Sequence, residues 1–66
     1  MRITVNGQPT EIEEVQHLDE ALEFLGYTDT FCAVALNMKC VPRSEYPATP
    51  ISENDEIEIV SPQAGG

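Results

Sequence analysis

Few side chains in this sequence have the type and spacing that catalysis or metal binding requires. The 66 residues include two cysteines and one histidine. Cys32 and Cys40 do not form a Cys-x-x-Cys pair, and together with His17 they are too few for a structural zinc site. The four glycines do not form a phosphate-binding loop. The sequence therefore predicts no catalytic side chain, no metal site and no stably bound cofactor, and we expect both thiols to be reduced.

The carboxylate of the last residue, Gly66, is the remaining candidate for chemistry. A carboxylate is a stable anion that becomes an acyl donor only after conversion to a mixed anhydride, such as an acyl-adenylate. Because this sequence has no nucleotide-binding motif, a partner enzyme would have to supply the ATP site. Gly65 and Gly66 lack Cβ atoms, so the segment is thin enough to thread a narrow channel in that partner. The alternative interpretation is a frayed terminus without a function.

The composition is that of a small acidic domain. Twelve acidic and three basic residues give a formal net charge of −9. Binding to nucleic acid or to an anionic membrane requires Lys and Arg, so the charge disfavours both. Hydrophobic residues make up 41% of the chain, enough for a core, but a core of this size hardly supports a catalytic cleft. We therefore expect a non-enzyme whose charge either keeps it in solution or complements a basic face on a partner.

The sequence shows no membrane span and no export signal. No apolar run approaches the roughly 20 residues that cross a bilayer. Residues 1–5 alternate like a strand and lack the apolar stretch of a signal peptide. We expect the protein to be cytoplasmic.

The first half of the chain predicts a hairpin followed by a helix. Ile3 and Val5 alternate with polar residues, and Asn6-Gly7 predicts a type I′ turn into a second strand at residues 8–12. The helix is predicted from an apolar stripe with helical spacing, ended by a glycine and with His17 at its start. The stripe consists of Leu18, Ala21, Leu22 and Leu25, and the glycine is Gly26.

The second half predicts three more strands. Residues 32–36 are a short apolar run, residues 37–39 a turn, and residues 40–41 a short return strand. Residues 43–50 contain two prolines and should be irregular, with at most one helical turn. A turn at residues 53–55 then precedes a last strand at residues 56–60, in which apolar and acidic residues alternate.

This order of elements predicts an α+β fold of the β-grasp type. One helix should pack on a mixed sheet of four to five strands. We expect residues 1–60 to form the domain and residues 61–66 a flexible C-terminal tail. Pro62 cannot donate to a strand ladder, and the tail has no large apolar residue to dock it.

The sequence resembles the sulfur carrier proteins of thiamine biosynthesis, the ThiS family, over nearly its whole length. Asn54, Pro62 and Cys40 depart from that family's usual pattern. The resemblance rests on segments Ile3–Gly7, Ala33–Asn37, Val41–Tyr46, Asp55–Val60 and Gly65-Gly66.

The resemblance implies a β-grasp fold and a set of partner enzymes. An adenylyltransferase of the ubiquitin-activating type would use ATP to adenylate Gly66. A cysteine desulfurase or another sulfur donor would convert the adenylate to a thiocarboxylate, and thiazole synthase would take the sulfur into the thiazole ring. By the same resemblance Gly66 is the modified residue and Gly65 the residue that threads the channel.

Two other functions remain open at this point. The small subunit of molybdopterin synthase, or another β-grasp sulfur carrier, would share the chemistry but serve a different acceptor. A ubiquitin-like protein modifier would instead be joined to lysines of other proteins. The short length and the segment from Asn37 to Tyr46 favour the thiamine interpretation.

Overall fold

The computed structural model describes residues 1–27 and 33–60. Residues 61–66, and with them the predicted tail, lie outside the described residues. So does Cys32, which was expected to begin the third strand. The described elements, in chain order, are β1 (Arg2–Val5), β2 (Gln8–Glu11), α1 (Leu18–Leu25), β3 (Ala33–Leu36), β4 (Lys39–Val41), a 3-10 helix (Arg43–Ala48) and β5 (Glu56–Val60).

The five strands form one mixed sheet in the order β2-β1-β5-β3-β4. Two antiparallel hairpins, β1–β2 and β3–β4, flank the last strand. β5 runs parallel to β1 and antiparallel to β3, so the C-terminal strand is central in the sheet. This arrangement confirms the predicted α+β fold. The sheet has five strands, where four to five were expected.

Both hairpins turn through residues with positive φ. Asn6 and Gly7 have φ of 51° and 81°, as the Asn-Gly pair predicts for a type I′ turn. Asn37 and Met38 have φ of 51° and 70° in the second hairpin. The second turn is therefore one residue shorter than expected, and Lys39 already belongs to β4.

The helix has the predicted bounds because both of its ends are specified locally. His17 is the N-cap, and Glu20 Oε1 accepts hydrogen bonds from the backbone N–H groups of Gln16 and His17 at 3.0 Å each. Gly26 ends the helix with φ of 88°, the left-handed conformation that favours glycine. The helix is eight residues long, and no helix in the described part of the chain could cross a membrane.

The segment between β4 and β5 is more regular than its prolines predict. It contains a six-residue 3-10 helix with Pro47 inside it, where at most one helical turn was expected. Two backbone hydrogen bonds anchor its far end beside the start of α1, from Leu18 N–H to Thr49 O (2.8 Å) and from Ile51 N–H to Gln16 O (3.0 Å). These contacts join positions that are distant in the sequence. Local composition therefore did not predict the regular structure of this segment.

The core lies between α1 and one face of the sheet. Ile3, Leu18 and Ile57 are fully buried at its centre. Tyr27 and Tyr46 pack against the core as half-buried residues, whereas Phe24 remains 49% exposed because it lies off the apolar stripe of the helix. The buried hydrophobic residues are Ile3, Val5, Ile12, Val15, Leu18, Ala21, Leu22, Val34, Ile51, Ile57 and Ile59.

Candidate functional site

The predicted site residues come five and six positions after the end of the central strand of the sheet. Gly65 and Gly66 lie outside the described residues, so their predicted roles stay predictions. The last described residue is Val60, at the end of β5, six positions before Gly66. The part of the site that can be described is therefore the strand and the surface from which this segment departs.

β5 is held along both of its edges. Against β3 it pairs over four residues, from Leu36 opposite Ile57 to Ala33 opposite Val60. Against β1 it pairs over only two, the last being Val5 opposite Ile57. The antiparallel pairing with β3 thus reaches Val60, the last described residue of β5, whereas the parallel pairing with β1 ends at Ile57.

The side chain of Asn6 extends the hydrogen bonding between β1 and β5 beyond the last paired residues of the two strands. Its backbone N–H donates to Ile57 O at 2.9 Å, and its Oδ1 accepts from the Ile59 N–H at 2.7 Å. The positive φ of Asn6 turns the backbone away from β5, so the amide oxygen takes the place of the carbonyl that a continuing strand would offer. Asn6 therefore fixes the end of β5 from which the terminal segment leaves.

The side chain of Asn37 likewise accepts a backbone hydrogen bond at the beginning of β5. Its Oδ1 accepts from the Glu56 N–H at 3.0 Å, and its Nδ2 donates to Asp55 Oδ1 at 3.2 Å. The sequence identified both asparagines as turn residues but not as partners of β5. The available signal was that each turn uses Asn, whose short amide can also reach a neighbouring strand.

The face of the sheet opposite the helix carries a shallow apolar depression. Along β5, Ile57 and Ile59 point into the core, and the alternating residues Glu58 and Val60 are exposed on the open face. We call the concave part of this face the open-face depression. It has a volume of about 110 Å³ and is lined by Ala33, Val34, Ala35, Cys40, Glu58 and Val60.

The acidic residues on this face form no ion pair with another described residue. Among the described residues, Arg2 and Glu11 form an ion pair at 3.0 Å, and the Nδ1 atom of His17 lies 3.6 Å from Glu20 Oε1. Glu56 and Glu58, both exposed on β5, belong to neither. The open face therefore combines an apolar floor with two exposed carboxylates that form no ion pair with a described residue.

The remaining candidates from the sequence do not come together. His17 caps the helix, as its position at the helix boundary predicted, and Cys40 is an exposed free thiol on β4. Cys32 lies outside the described residues. Within residues 1–27 and 33–60, no group of three or more His, Cys, Asp or Glu side chains is arranged to hold a metal ion.

Comparisons with known proteins agree on a family and a fold. The model of the ThiS family matches residues 3–66. The crystal structure of a thiamine biosynthesis protein, ThiS, from Geobacter metallireducens superimposes with a TM-score of 0.81 and 26% identity, covering 92% of this chain and 93% of that one. The solution structure of a thiamine biosynthesis protein from the same organism gives a TM-score of 0.76 at 27% identity, covering 91% and 81% of the two chains.

Longer proteins contain a segment similar to this chain. The thiazole synthase of Magnetococcus marinus is 36% identical over 66 residues, which is 100% of this chain and 20% of that protein. The thiazole synthase of Paramagnetospirillum magneticum is 29% identical over the same length and share. This chain therefore spans about a fifth of each of these curated relatives.

Proposed function

Because the chain belongs to the ThiS family of sulfur carriers, we propose that it carries sulfur for the thiazole ring of thiamine. The match to the family model over residues 3–66 and the common β-grasp fold support this proposal. The two thiazole synthases with a similar segment favour thiamine over molybdopterin as the product served.

The proposed chemistry takes place on the carboxylate of Gly66. One carboxylate oxygen attacks the α-phosphorus of ATP in a partner adenylyltransferase, which releases pyrophosphate and leaves an acyl-adenylate. The persulfide of a cysteine desulfurase or another donor then attacks the acyl carbon and displaces AMP, so that a C–S bond replaces the C–O bond to phosphate and an acyl disulfide forms. A thiol reductant cleaves its S–S bond, which releases the thiocarboxylate and leaves the donor and reductant thiols joined as a disulfide. The resulting thiocarboxylate gives its sulfur to thiazole synthase, and the carrier returns to a carboxylate.

The observation that carries the proposal is the position of β5. The strand is central in the sheet and is held up to Val60, and Gly66 lies six positions after Val60 in the sequence. Six extended residues span at most about 20 Å. That reach is enough to place Gly66 in a partner's active site while the folded domain stays outside it. Gly65 keeps the backbone thin at the point of entry.

Removing the terminal glycine tests the proposal. In a mixture of the chain, its adenylyltransferase and ATP, pyrophosphate release should depend on the carrier. Deleting Gly66 displaces the carboxylate by one residue and should abolish the release, while circular dichroism should show an unchanged fold. Gly65→Ala should only slow it, since the added Cβ narrows the fit of the segment. Undiminished release from the chain without Gly66 would refute the assignment of the reacting carboxylate.

A further inference from the structure

We propose that Arg43 orients the chain on its adenylyltransferase by pairing with a carboxylate beside the opening that receives the terminal segment, residues 61–66. Arg43 is exposed and is the first residue of the 3-10 helix that follows β4. This inference rests on the proposed function, because it assigns a contact to one of the partners named there.

Arg43 is a cation without an ionic partner in the described structure. The chain has three lysine and arginine side chains against twelve acidic ones. Arg2 forms an ion pair with Glu11 at 3.0 Å. The exposed side chains of Lys39 and Arg43 form neither an ion pair nor a hydrogen bond with a described residue. Both cations can therefore contact another protein without breaking an interaction among the described residues.

The strand register places Arg43 at the end of the sheet from which the terminal segment departs. Ala33 lies opposite Val60, and Val34, the next residue of β3, lies opposite Val41. Arg43 follows Val41 by two positions, so β4 has ended on this side of the sheet. Only β3 lies between β4 and β5, and the ends of these two strands are therefore two interstrand spacings, or about 10 Å, apart.

The strands have uncharged residues at this end of the sheet. These residues are Val5 of β1, Gln8 of β2, Ala33 of β3, Val41 of β4 and Val60 of β5. At the opposite end, the charged residues that begin or end a strand are Arg2, Glu11, Lys39 and Glu56. Arg43 therefore adds a positive charge beside uncharged strand ends, in a chain whose net charge is −9.

A positive side chain at one end gives an acidic domain a preferred orientation. The net charge of −9 attracts the chain to a basic surface but does not distinguish one end of the domain from the other. A partner carboxylate beside the opening would attract Arg43 and repel the acidic parts of the domain. Arginine suits this contact, because its guanidinium binds a carboxylate through two parallel hydrogen bonds.

The length of the terminal segment places the adenylation step beyond the reach of Arg43. Gly66 lies six positions after Val60, and six extended residues span up to about 20 Å. At physiological ionic strength, interactions between exposed charges are screened over about 8 Å. Arg43 should therefore change the KM for the chain through docking and leave kcat unaffected.

The adenylyltransferase is the partner for which such an orienting charge matters most. In the thiazole synthases of Magnetococcus marinus and Paramagnetospirillum magneticum, the segment that matches this chain belongs to the same polypeptide as the rest of the protein. Covalent joining gives a high effective concentration without steering in solution. A separate adenylyltransferase would meet the chain by diffusion, and charge pairs at the edge of a contact act mainly on that encounter.

A matched pair of charge reversals tests the assignment. Arg43→Glu and Lys39→Glu both replace an exposed cation, and both change the net charge from −9 to −11, since each removes one positive and adds one negative charge. Lys39 lies at the other end of β4, opposite Leu36, and is the control. KM and kcat of the adenylyltransferase would be measured from pyrophosphate release, after circular dichroism has shown that each variant is folded.

The proposal predicts unequal effects on KM. Arg43→Glu should raise KM at least about tenfold and change kcat by no more than about twofold, because a like charge would face the partner carboxylate. Lys39→Glu should change KM by no more than about twofold. Arg43→Lys keeps the charge but not the paired hydrogen bonds, and should raise KM about threefold. Equal effects of the two reversals on KM, or a loss confined to kcat, would overturn the proposal.

Zero-length cross-linking identifies the partner carboxylate. In Arg43→Lys, a carbodiimide should join the amine introduced at position 43 to an aspartate or glutamate of the adenylyltransferase, and peptide mass spectrometry would locate the bond. Lys39 in the same sample should remain free of this cross-link. A cross-link from position 43 to thiazole synthase alone would reject the adenylyltransferase as the partner. A cross-link from Lys39 alone would reject Arg43 as the docking residue.

The docking assignment can fail without the proposed function failing. If the wild-type chain supports pyrophosphate release and Arg43→Glu supports it with an unchanged KM, the function stands and the docking assignment is wrong. If the wild-type chain supports no release, the proposed function itself is wrong.

Discussion

Two asparagines show how single side chains hold the two ends of β5 by hydrogen bonds. Asn6 and Asn37 occupy equivalent turn positions, both with φ of 51°, and each accepts a hydrogen bond from a backbone N–H of β5. Asn6 holds the Ile59 N–H at the exit of the strand, and Asn37 holds the Glu56 N–H at its beginning. The two residues therefore form a matched pair for testing what fixes the C-terminal end of β5.

Replacing Asn6 by glycine should loosen the end of β5. Glycine keeps the positive φ without strain, so Asn6→Gly removes only the side-chain acceptor. The Ile59 N–H then loses its partner, and the free energy of unfolding should fall by about 1 to 2 kcal/mol in urea titrations. Hydrogen exchange of the Ile59 amide should accelerate in Asn6→Gly and remain slow in Asn37→Gly. Equal protection of Ile59 in both variants would show that Asn6 does not fix the exit.

The sequence predicted the turn positions of Asn6 and Asn37 but not their hydrogen bonds to β5. Asn-Gly is a strong local signal for a tight hairpin, and that turn is confirmed. The contact of Asn6 with Ile59 spans 53 positions, and that of Asn37 with Glu56 spans 19. Such contacts depend on which strands become neighbours in the sheet, which local composition does not specify.

At the scale of elements, the helix start links stability to pH. The hydrogen bonds from the backbone N–H groups of Gln16 and His17 lower the pKa of Glu20 below its ordinary value of 4.5. A carboxyl whose pKa is lower in the folded state stabilises the fold at pH values above the ordinary value. This stabilisation is lost as the pH falls through the lowered pKa.

Glu20→Gln should remove this pH-dependent contribution. At neutral pH the variant should be less stable than the wild type, because a neutral amide accepts weaker hydrogen bonds than a carboxylate. The difference in free energy of unfolding should shrink as the pH is lowered below 4.5 and Glu20 of the wild type becomes protonated. Urea titrations across this range would measure it, with Glu23→Gln as a control for the loss of one carboxylate. A difference independent of pH would contradict the role assigned to Glu20.

Periodicity predicted those elements whose signals are local. The stripe of α1 and the alternation in β5 placed both elements with their observed bounds. The 3-10 helix between β4 and β5 was predicted as largely irregular, because its order depends on backbone bonds to the start of α1. The predicted helix start at His17 is confirmed, whereas the hydrogen bonds that Glu20 accepts there were not predicted.

At the scale of the whole molecule, the fold places the last described strand, β5, at the centre of the sheet. The helix covers one face of the sheet and leaves the other open, and β5 runs through the centre towards Gly66. The sequence predicted the fold class, and its assignment of Gly66 as the reacting residue stays a prediction. It did not predict the open-face depression, because this surface arises from the register of β3, β4 and β5.

The central claim is that sulfur is carried on the carboxylate of Gly66 and not on a side chain. Intact-protein mass spectrometry of the chain, incubated with its adenylyltransferase, ATP and a sulfur donor, tests it most directly. We expect the mass to increase by one oxygen-to-sulfur exchange, located on the last residue by fragmentation, in the wild type and equally in a Cys32→Ser, Cys40→Ser double variant. Sulfur found as a persulfide on Cys32 or Cys40, with an unmodified Gly66, would contradict the claim.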